Sequence, residues 1–203
     1  MSLVLLIFIK NPRLCFVKTR LARTAGDAEA LRIYRILLEK TRQASLEVNV
    51  QRWLFYSDFI ETADEWSGTQ FRKLLQNGAD LGLRMENAFR LAFEAGAQKA
   101  LIVGSDCPAL SGDVLQQAFD ALDTADFALG PTPDGGYYLL GMKELESSLF
   151  RDMAWSTETV LTETLKKIRE AGRTFELLPE LPDVDTEADW LQFTGKTTTS
   201  RFP

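Results

Sequence analysis

Lys99-Ala-Leu-Ile-Val-Gly-Ser-Asp106-Cys-Pro108 is the stretch whose reading decides the fold. A short apolar run, Ala100 to Val103, stops at Gly104-Ser105 and delivers an aspartate. Pro108 lacks an N–H and biases Cys107 towards extended geometry, so the run cannot simply continue. Open α/β sheets bind ligands beyond the carboxyl ends of their strands, where the connecting loops begin. A carboxylate there is a natural metal ligand for a phosphate-bearing substrate. The plainer alternative is that Asp106 caps a turn or the following helix. Spacing alone leaves both open.

Strands and helices alternate on either side of this stretch. Leu3–Ile9 is apolar without alternation, as expected of a strand buried on both faces of a parallel sheet. Lys10-Asn-Pro12 ends it, and a loop carrying Arg13, Lys18, Arg20 and Arg23 follows. Asp27 precedes a helix with Leu31, Tyr34, Leu38 and Thr41 on one face. Strands are expected over 52–57 and 71–75, with a brief helix over 62–66 between them. Asp80 caps a helix whose apolar stripe is Met85, Ala88, Phe89, Ala92 and Phe93; Ser111 caps another, with Leu115, Ala118, Phe119 and Leu122 inward. Residues 126–129 and 137–141 read as antiparallel neighbours, because the connection between them is short. A helix is expected from Ser156 or Thr157 to Gly172, then a strand over 174–178. Thr186 and Asp189 form a capping box for a last helix. The expected organisation is one α/β domain over 1–194 with a mostly parallel sheet and a polar tail over 195–203.

Composition narrows the chemistry. The 203-residue chain carries a net charge of −6, which argues against a general nucleic-acid binder. Its apolar first strand is too short for a membrane span. Histidine is absent, which removes Ser-His-Asp and Cys-His schemes and His-ligated zinc. Two cysteines, Cys15 and Cys107, without CxxC spacing, lead to the expectation of a reduced, cytoplasmic setting.

Carboxylates and cations are left to carry any reaction. Lys10-x-Pro12…Val17-Lys18-Thr19-Arg20 sets a cationic loop at a strand's carboxyl end, suited to a diphosphate or triphosphate. No Walker A or GxGxxG pattern occurs. Mg²⁺ takes one or two carboxylates plus phosphate oxygens, so Asp106 suffices to recruit it. In Gly130-Pro-Thr-Pro-Asp134-Gly135-Gly136-Tyr137-Tyr138 the glycines permit close backbone approach. Asp134 there is positioned to bond a sugar hydroxyl or act as a base, unless the segment is only a hairpin turn. Asp183 and Asp185 share a face if extended, as a second metal anchor or as acids before a helix N-terminus. Trp155 offers a stacking ring, and Arg84 a reach to phosphate.

Taken in order, these motifs resemble the small bacterial glycosyltransferase-like proteins of the nucleotide-diphospho-sugar transferase superfamily. Asp80-Leu-Gly82-x-Arg84-Met85 and Asp183-x-Asp185-Thr186 complete the series, which covers nearly the whole chain. The resemblance implies a three-layer αβα sandwich of GT-A type with a mostly parallel mixed sheet. It implies a nucleotide on the first strand-to-helix loop, held by Lys10, Lys18, Arg20 and Arg84, with Mg²⁺ or Mn²⁺ on Asp106 and Asp185. Asp134 and Asp106 would be catalytic, and Gly135, Gly136, Tyr137 and Trp155 would line the substrate pocket. The reaction implied is glycosyl transfer from a nucleotide-sugar to a small-molecule acceptor. The alternatives are nucleotidyl transfer from a nucleoside triphosphate, or a catalytically silent nucleotide-binding protein. The silent reading draws on one departure: where the family loop reads Pro-x-x-Gly-x-Val-Lys-Thr-Arg-Leu, often with a basic residue after the glycine, this chain has Cys15-Phe16.

Overall fold

A computed structural model describes residues 2–195 of the chain. The first strand, β1 (Leu3–Ile9), is buried from Val4 onward, because apolar side chains of both parities meet a helical layer on each face. Beside it lie β2 (Gln51–Tyr56), β3 (Arg72–Leu75) and β4 (Lys99–Val103). The sheet is completed by β5 (Phe127–Pro131), β6 (Tyr137–Met142) and β7 (Phe175–Leu177). The spatial order is β3-β2-β1-β4-β6-β5-β7. Pairing is parallel except where β6 meets β4 and β5, so β6 alone runs against the others. The expected antiparallel neighbours are β5 and β6.

Among the described residues, six helices accompany the sheet: α1 (Thr19–Ala25), α2 (Asp27–Leu46), α3 (Leu81–Glu94), α4 (Gly112–Thr124), α5 (Val160–Glu170) and α6 (Glu187–Thr194). Tyr34 and Leu38 of α2 and Leu115, Phe119 and Leu122 of α4 pack with Leu5, Ile7, Leu101 and Val103 on one face. Met85 and Phe89 of α3 and Ile168 of α5 pack with Leu6, Phe8, Ile102 and Leu140 on the other, together with a 3₁₀ turn at Ser147–Phe150. The result is the expected three-layer αβα arrangement. A smaller cluster joins Leu21 of α1 to Ile33 and Leu37 of α2 and to Val184 in the segment before α6. No described helix is long and apolar enough to cross a membrane.

Local expectations fail in three places. Arg20 and Arg23 belong to a helix, α1, and not to a loop; its N-cap is Lys18 in the left-handed region with no side-chain cap, so the usual start signal is missing. The segment 62–66 is a series of bends. Glu61 accepts the N–H groups of Thr62 and Ala63 and Asp64 that of Trp66, which satisfies the backbone outside a helix. Helix α5 starts at Val160, because Ser156 has φ 64° and Thr157 Oγ1 bonds back to Ala154 O. The polar segment expected over 195–203 lies, apart from Gly195, outside the described residues.

Candidate active site

The carboxyl edge of the sheet gathers the charged residues. Gly104-Ser105 follows β4 and presents Asp106, while Lys18 enters from the loop after β1 with φ 47° and ψ 47°. Asp185 arrives from a chain segment that crosses the edge. Leu178 N–H donates to Leu129 O, Leu181 N–H to Pro131 O and Val184 N–H to Asp106 O. Val184 is 1% exposed, in the α1–α2 cluster, and anchors the two aspartates that flank it.

Lys18 is the hub. Its ammonium lies 2.7 Å from Asp106 Oδ1 and 3.0 Å from Asp185 Oδ1, and its side chain is 5% exposed. Burial pulls the Lys18 pKa down; the Asp106 and Asp185 charges outweigh it and hold the ammonium above its ordinary value. Arg20 Nη1 reaches Asp185 Oδ2 at 3.4 Å from a mostly exposed position. Asp183 completes the cluster. Burial, reinforced by the charges of Asp134 and Asp185, pushes its carboxyl up to about 6, against the opposing pull of Lys18. Lys18, Asp106, Asp134, Asp183 and Asp185 thus share one electrostatic neighbourhood.

The supports of this cluster are buried polar groups. Tyr34 Oη accepts from Lys10 N–H at 2.8 Å and lies 3.1 Å from Ser105 Oγ, tying α2 to the loops after β1 and β4. Burial, with the nearby Asp106 charge, raises the Tyr34 phenol above its usual range. Asn11, 2% exposed, donates its amide to Phe59 O and accepts from Asp58 N–H, pinning the loop after β1 to that after β2. Arg13 lies on the rim of these two loops, with its guanidinium 4.5 Å from the Phe16 ring and 5.7 Å from the Phe59 ring, and paired to Asp58. Tyr34, Ser105 and Asn11 escape a sequence reading because each looks like an ordinary core or turn residue.

The remaining predicted positions divide between this edge and the α3–α5 core. In the β5–β6 turn, Asp134 Oδ1 accepts from Thr132 Oγ1 and from Gly136 N–H at 3.1 Å. Gly135 has φ 85°, and its carbonyl accepts from Leu161 N–H at 2.9 Å. Lys10 is exposed at the end of β1. Arg84 donates to Gly78 O and Gln76 Oε1, and the Gln76 amide bonds Ile9 O and Phe55 O, so Arg84 braces the same edge. Tyr137 and Trp155 pack against the α3–α5 core, whereas Val17 and Cys107, next to Lys18 and Asp106, pack into the α2–α4 core. The two rings are therefore not brought to the Lys18 cluster. Burial pushes the Cys107 thiol up to about 11, which leaves it protonated and unreactive at neutral pH.

A metal ion fits this arrangement in a restricted way. No group of three or more metal-ligating side chains is preassembled among the described residues. Two hard carboxylate oxygens do face one point, now held by the Lys18 nitrogen. Two carboxylates completed by phosphate oxygens and water suit Mg²⁺ or Mn²⁺.

Comparison with known proteins bears on the fold and the family. A crystal structure of a candidate nucleotide-diphospho-sugar transferase from Desulfovibrio desulfuricans G20 is 31% identical and superposes with a TM-score of 0.89, covering 98% of this chain and 90% of that one. A phosphoenolpyruvate guanylyltransferase from Chloroflexus aggregans is 29% identical over 132 residues, which span 62% of this chain and 64% of that protein. A Mycobacterium tuberculosis protein solved in complex with manganese shares the fold at a TM-score of 0.57 and 14% identity, over 97% of this chain and all of that one. Residues 40–157 match the family described as "Uncharacterized protein conserved in bacteria (DUF2064)". The chain has a nucleotide-diphospho-sugar transferase fold and belongs to the DUF2064 family.

Proposed function

We propose that the Lys18 cluster is the active site of a divalent-metal-dependent transferase acting on a nucleotide-activated donor. The single observation carrying this reading is the convergence of Lys18, Asp106 and Asp185 at one point on the carboxyl edge. Lys18 and Arg20 hold the donor's phosphates, with Lys10 and Arg84 along the same edge. Asp106 and Asp185 would hold Mg²⁺ or Mn²⁺, which when bound would supply positive charge to stabilise the departing phosphate oxygens. Asp134 meets the acceptor, a small molecule bearing a nucleophilic hydroxyl, and takes or orients its proton.

The first reading of the reaction is glycosyl transfer. The acceptor oxygen bonds the anomeric carbon, the bond from that carbon to phosphate oxygen breaks, and a nucleoside diphosphate leaves. Similarity to the Desulfovibrio protein supports it. The second reading is nucleotidyl transfer. The acceptor attacks the α-phosphorus of a nucleoside triphosphate and pyrophosphate leaves; the guanylyltransferase relative supports that one. Incubation with Mn²⁺ and panels of nucleotide-sugars and nucleoside triphosphates separates them. Release of nucleoside diphosphate identifies the first, and release of pyrophosphate the second. Binding without turnover identifies the silent alternative, and absence of any metal-dependent nucleotide binding overturns the whole reading.

A further inference from the structure

We infer that Lys18 is an internal counter-cation that keeps divalent metal off the Asp106–Asp185 pair until an anionic donor draws the ammonium away. The inference rests on the active-site reading above and concerns the order in which that site fills. The Lys18 ammonium spans both carboxylates at 2.7 and 3.0 Å with its side chain almost wholly buried. A metal ion bridging the two Oδ1 atoms at about 2.0–2.1 Å would occupy the point where the ammonium sits, so the two cations exclude each other there. Among the described residues no third carboxylate is arranged with this pair to hold a metal. Arg20, the other cation on the pair, bonds Asp185 alone at 3.4 Å and is two-thirds exposed, so it yields easily.

An anionic diphosphate changes this balance in two ways. Its oxygens complete the metal's coordination, and its negative charge gives Lys18 a new partner. Metal and donor therefore bind with positive coupling, and by linkage each raises the other's affinity by the same factor, about 5–150-fold. Lys18 is a positioning residue in this scheme: it acts on the metal through the two aspartates. The αL backbone at residue 18 fixes where the ammonium begins.

The test counts free Mn²⁺ by electron paramagnetic resonance during titration of wild-type protein and Lys18→Met. Each is titrated alone and with GDP, UDP, CDP, ADP or dTDP, against protein-free nucleotide controls. Without nucleotide, Lys18→Met binds Mn²⁺ at least about ten-fold more tightly than wild type; the effective nucleotide then tightens wild type by a clearly larger factor than the variant, in which only coordination by the phosphate oxygens remains. Equal affinity of the two proteins for Mn²⁺ alone overturns the inference, as does tight wild-type binding that no nucleotide improves. If Lys18→Met gains affinity while no nucleotide affects wild type, the block by Lys18 holds and the donor reading of the active site fails. Should the variant not fold, the side-chain ¹⁵N signal of Lys18 in wild type decides. It moves with Mg²⁺ plus nucleotide and stays put with Mg²⁺ alone; movement with Mg²⁺ alone overturns the inference.

Discussion

Tyr34 and Ser105 meet through their hydroxyls at 3.1 Å, joining helix α2 to the loop that delivers Asp106. The same phenol accepts from Lys10 N–H, so one buried oxygen ties the end of β1 to the end of β4. Tyr34→Phe leaves that N–H and the serine hydroxyl short of a partner. The expected loss is about 1–3 kcal/mol, read as a lower urea midpoint with an unchanged slope.

Asp106 is half exposed, so its value to folding is small; on the proposed reading its value to function is large. Asp106→Asn removes one of the two carboxylates facing the Lys18 nitrogen. Metal-dependent nucleotide affinity falls by at least about ten-fold and turnover by about 10²-fold or more, while the melting temperature changes little. Calorimetric titration with and without Mn²⁺ checks the first expectation, and product release the second.

Asp183 sets a pH dependence of unusual sign for a carboxylate. The native protein holds its proton up to about pH 6, whereas the unfolded chain releases it near the ordinary aspartate value of about 4. Between these values the native state binds more protons than the unfolded one, so stability falls as pH rises through the window. Asp126 and Glu39, whose carboxyls are lowered, act in the opposite sense. The contribution of Asp183 is isolated by comparing metal-free wild type with Asp183→Asn. The variant gains stability relative to wild type from about pH 4 to pH 7, and equal pH profiles would refute the assignment.

Two glycines with nearly equal φ predict different costs. A Cβ on Gly135, φ 86° being the value at Gly26 and 85° here, would stand 2.0 Å from Glu158 O, whereas at Gly26 nothing lies within 4 Å. Gly26→Ala carries only the backbone penalty of φ 86° with ψ 156°, a conformation essentially confined to glycine, about 1–3 kcal/mol, and Gly135→Ala costs more than its own backbone penalty because the β5–β6 turn must also shift. Denaturant titration of both variants measures the difference.

Cys15 stands where the resemblance noted in the sequence implies glycine, and its φ is 68°. Glycine adopts a positive φ freely and a residue with a Cβ does not, so Cys15 strains the loop. Cys15→Gly is expected to raise the melting temperature by about 2–4 °C in a differential scan.

Much of the sheet was legible in the sequence because β1 and β4 are apolar runs bounded by Pro, Gly or charge. Helices α3, α4 and α6 were legible through Asp80, Ser111 and Thr186, each of which caps as its side chain suggests. Helix α1 was not, since a lysine in αL geometry at an N-cap leaves no trace in the residue code. The site was legible as a set of residue types and illegible as a set of contacts. Lys18 and Asp185 are 167 residues apart, and nothing local says that they touch. Tyr137 and Tyr138 show the limit from another side. Strand alternation sends adjacent rings to opposite layers, Tyr138 to the α2 side and Tyr137 to the α3 side, and the turn before them does not reveal which faces the ligand.

The reversed strand β6 also bears on how relatives can diverge. Its pairing lets β5 deliver Asp134 to the same edge as Asp106 through a hairpin turn, with no crossover helix between β5 and β6. The Lys18–Asp106–Asp185 half is fixed by parallel strands whose connections carry the core of both layers. The 132–136 turn carries little core, so it can lengthen or change composition while the rest of the sheet stays in register. On the proposed reading, differences in acceptor among relatives should accordingly be written in that turn and in the 154–159 segment packed against it.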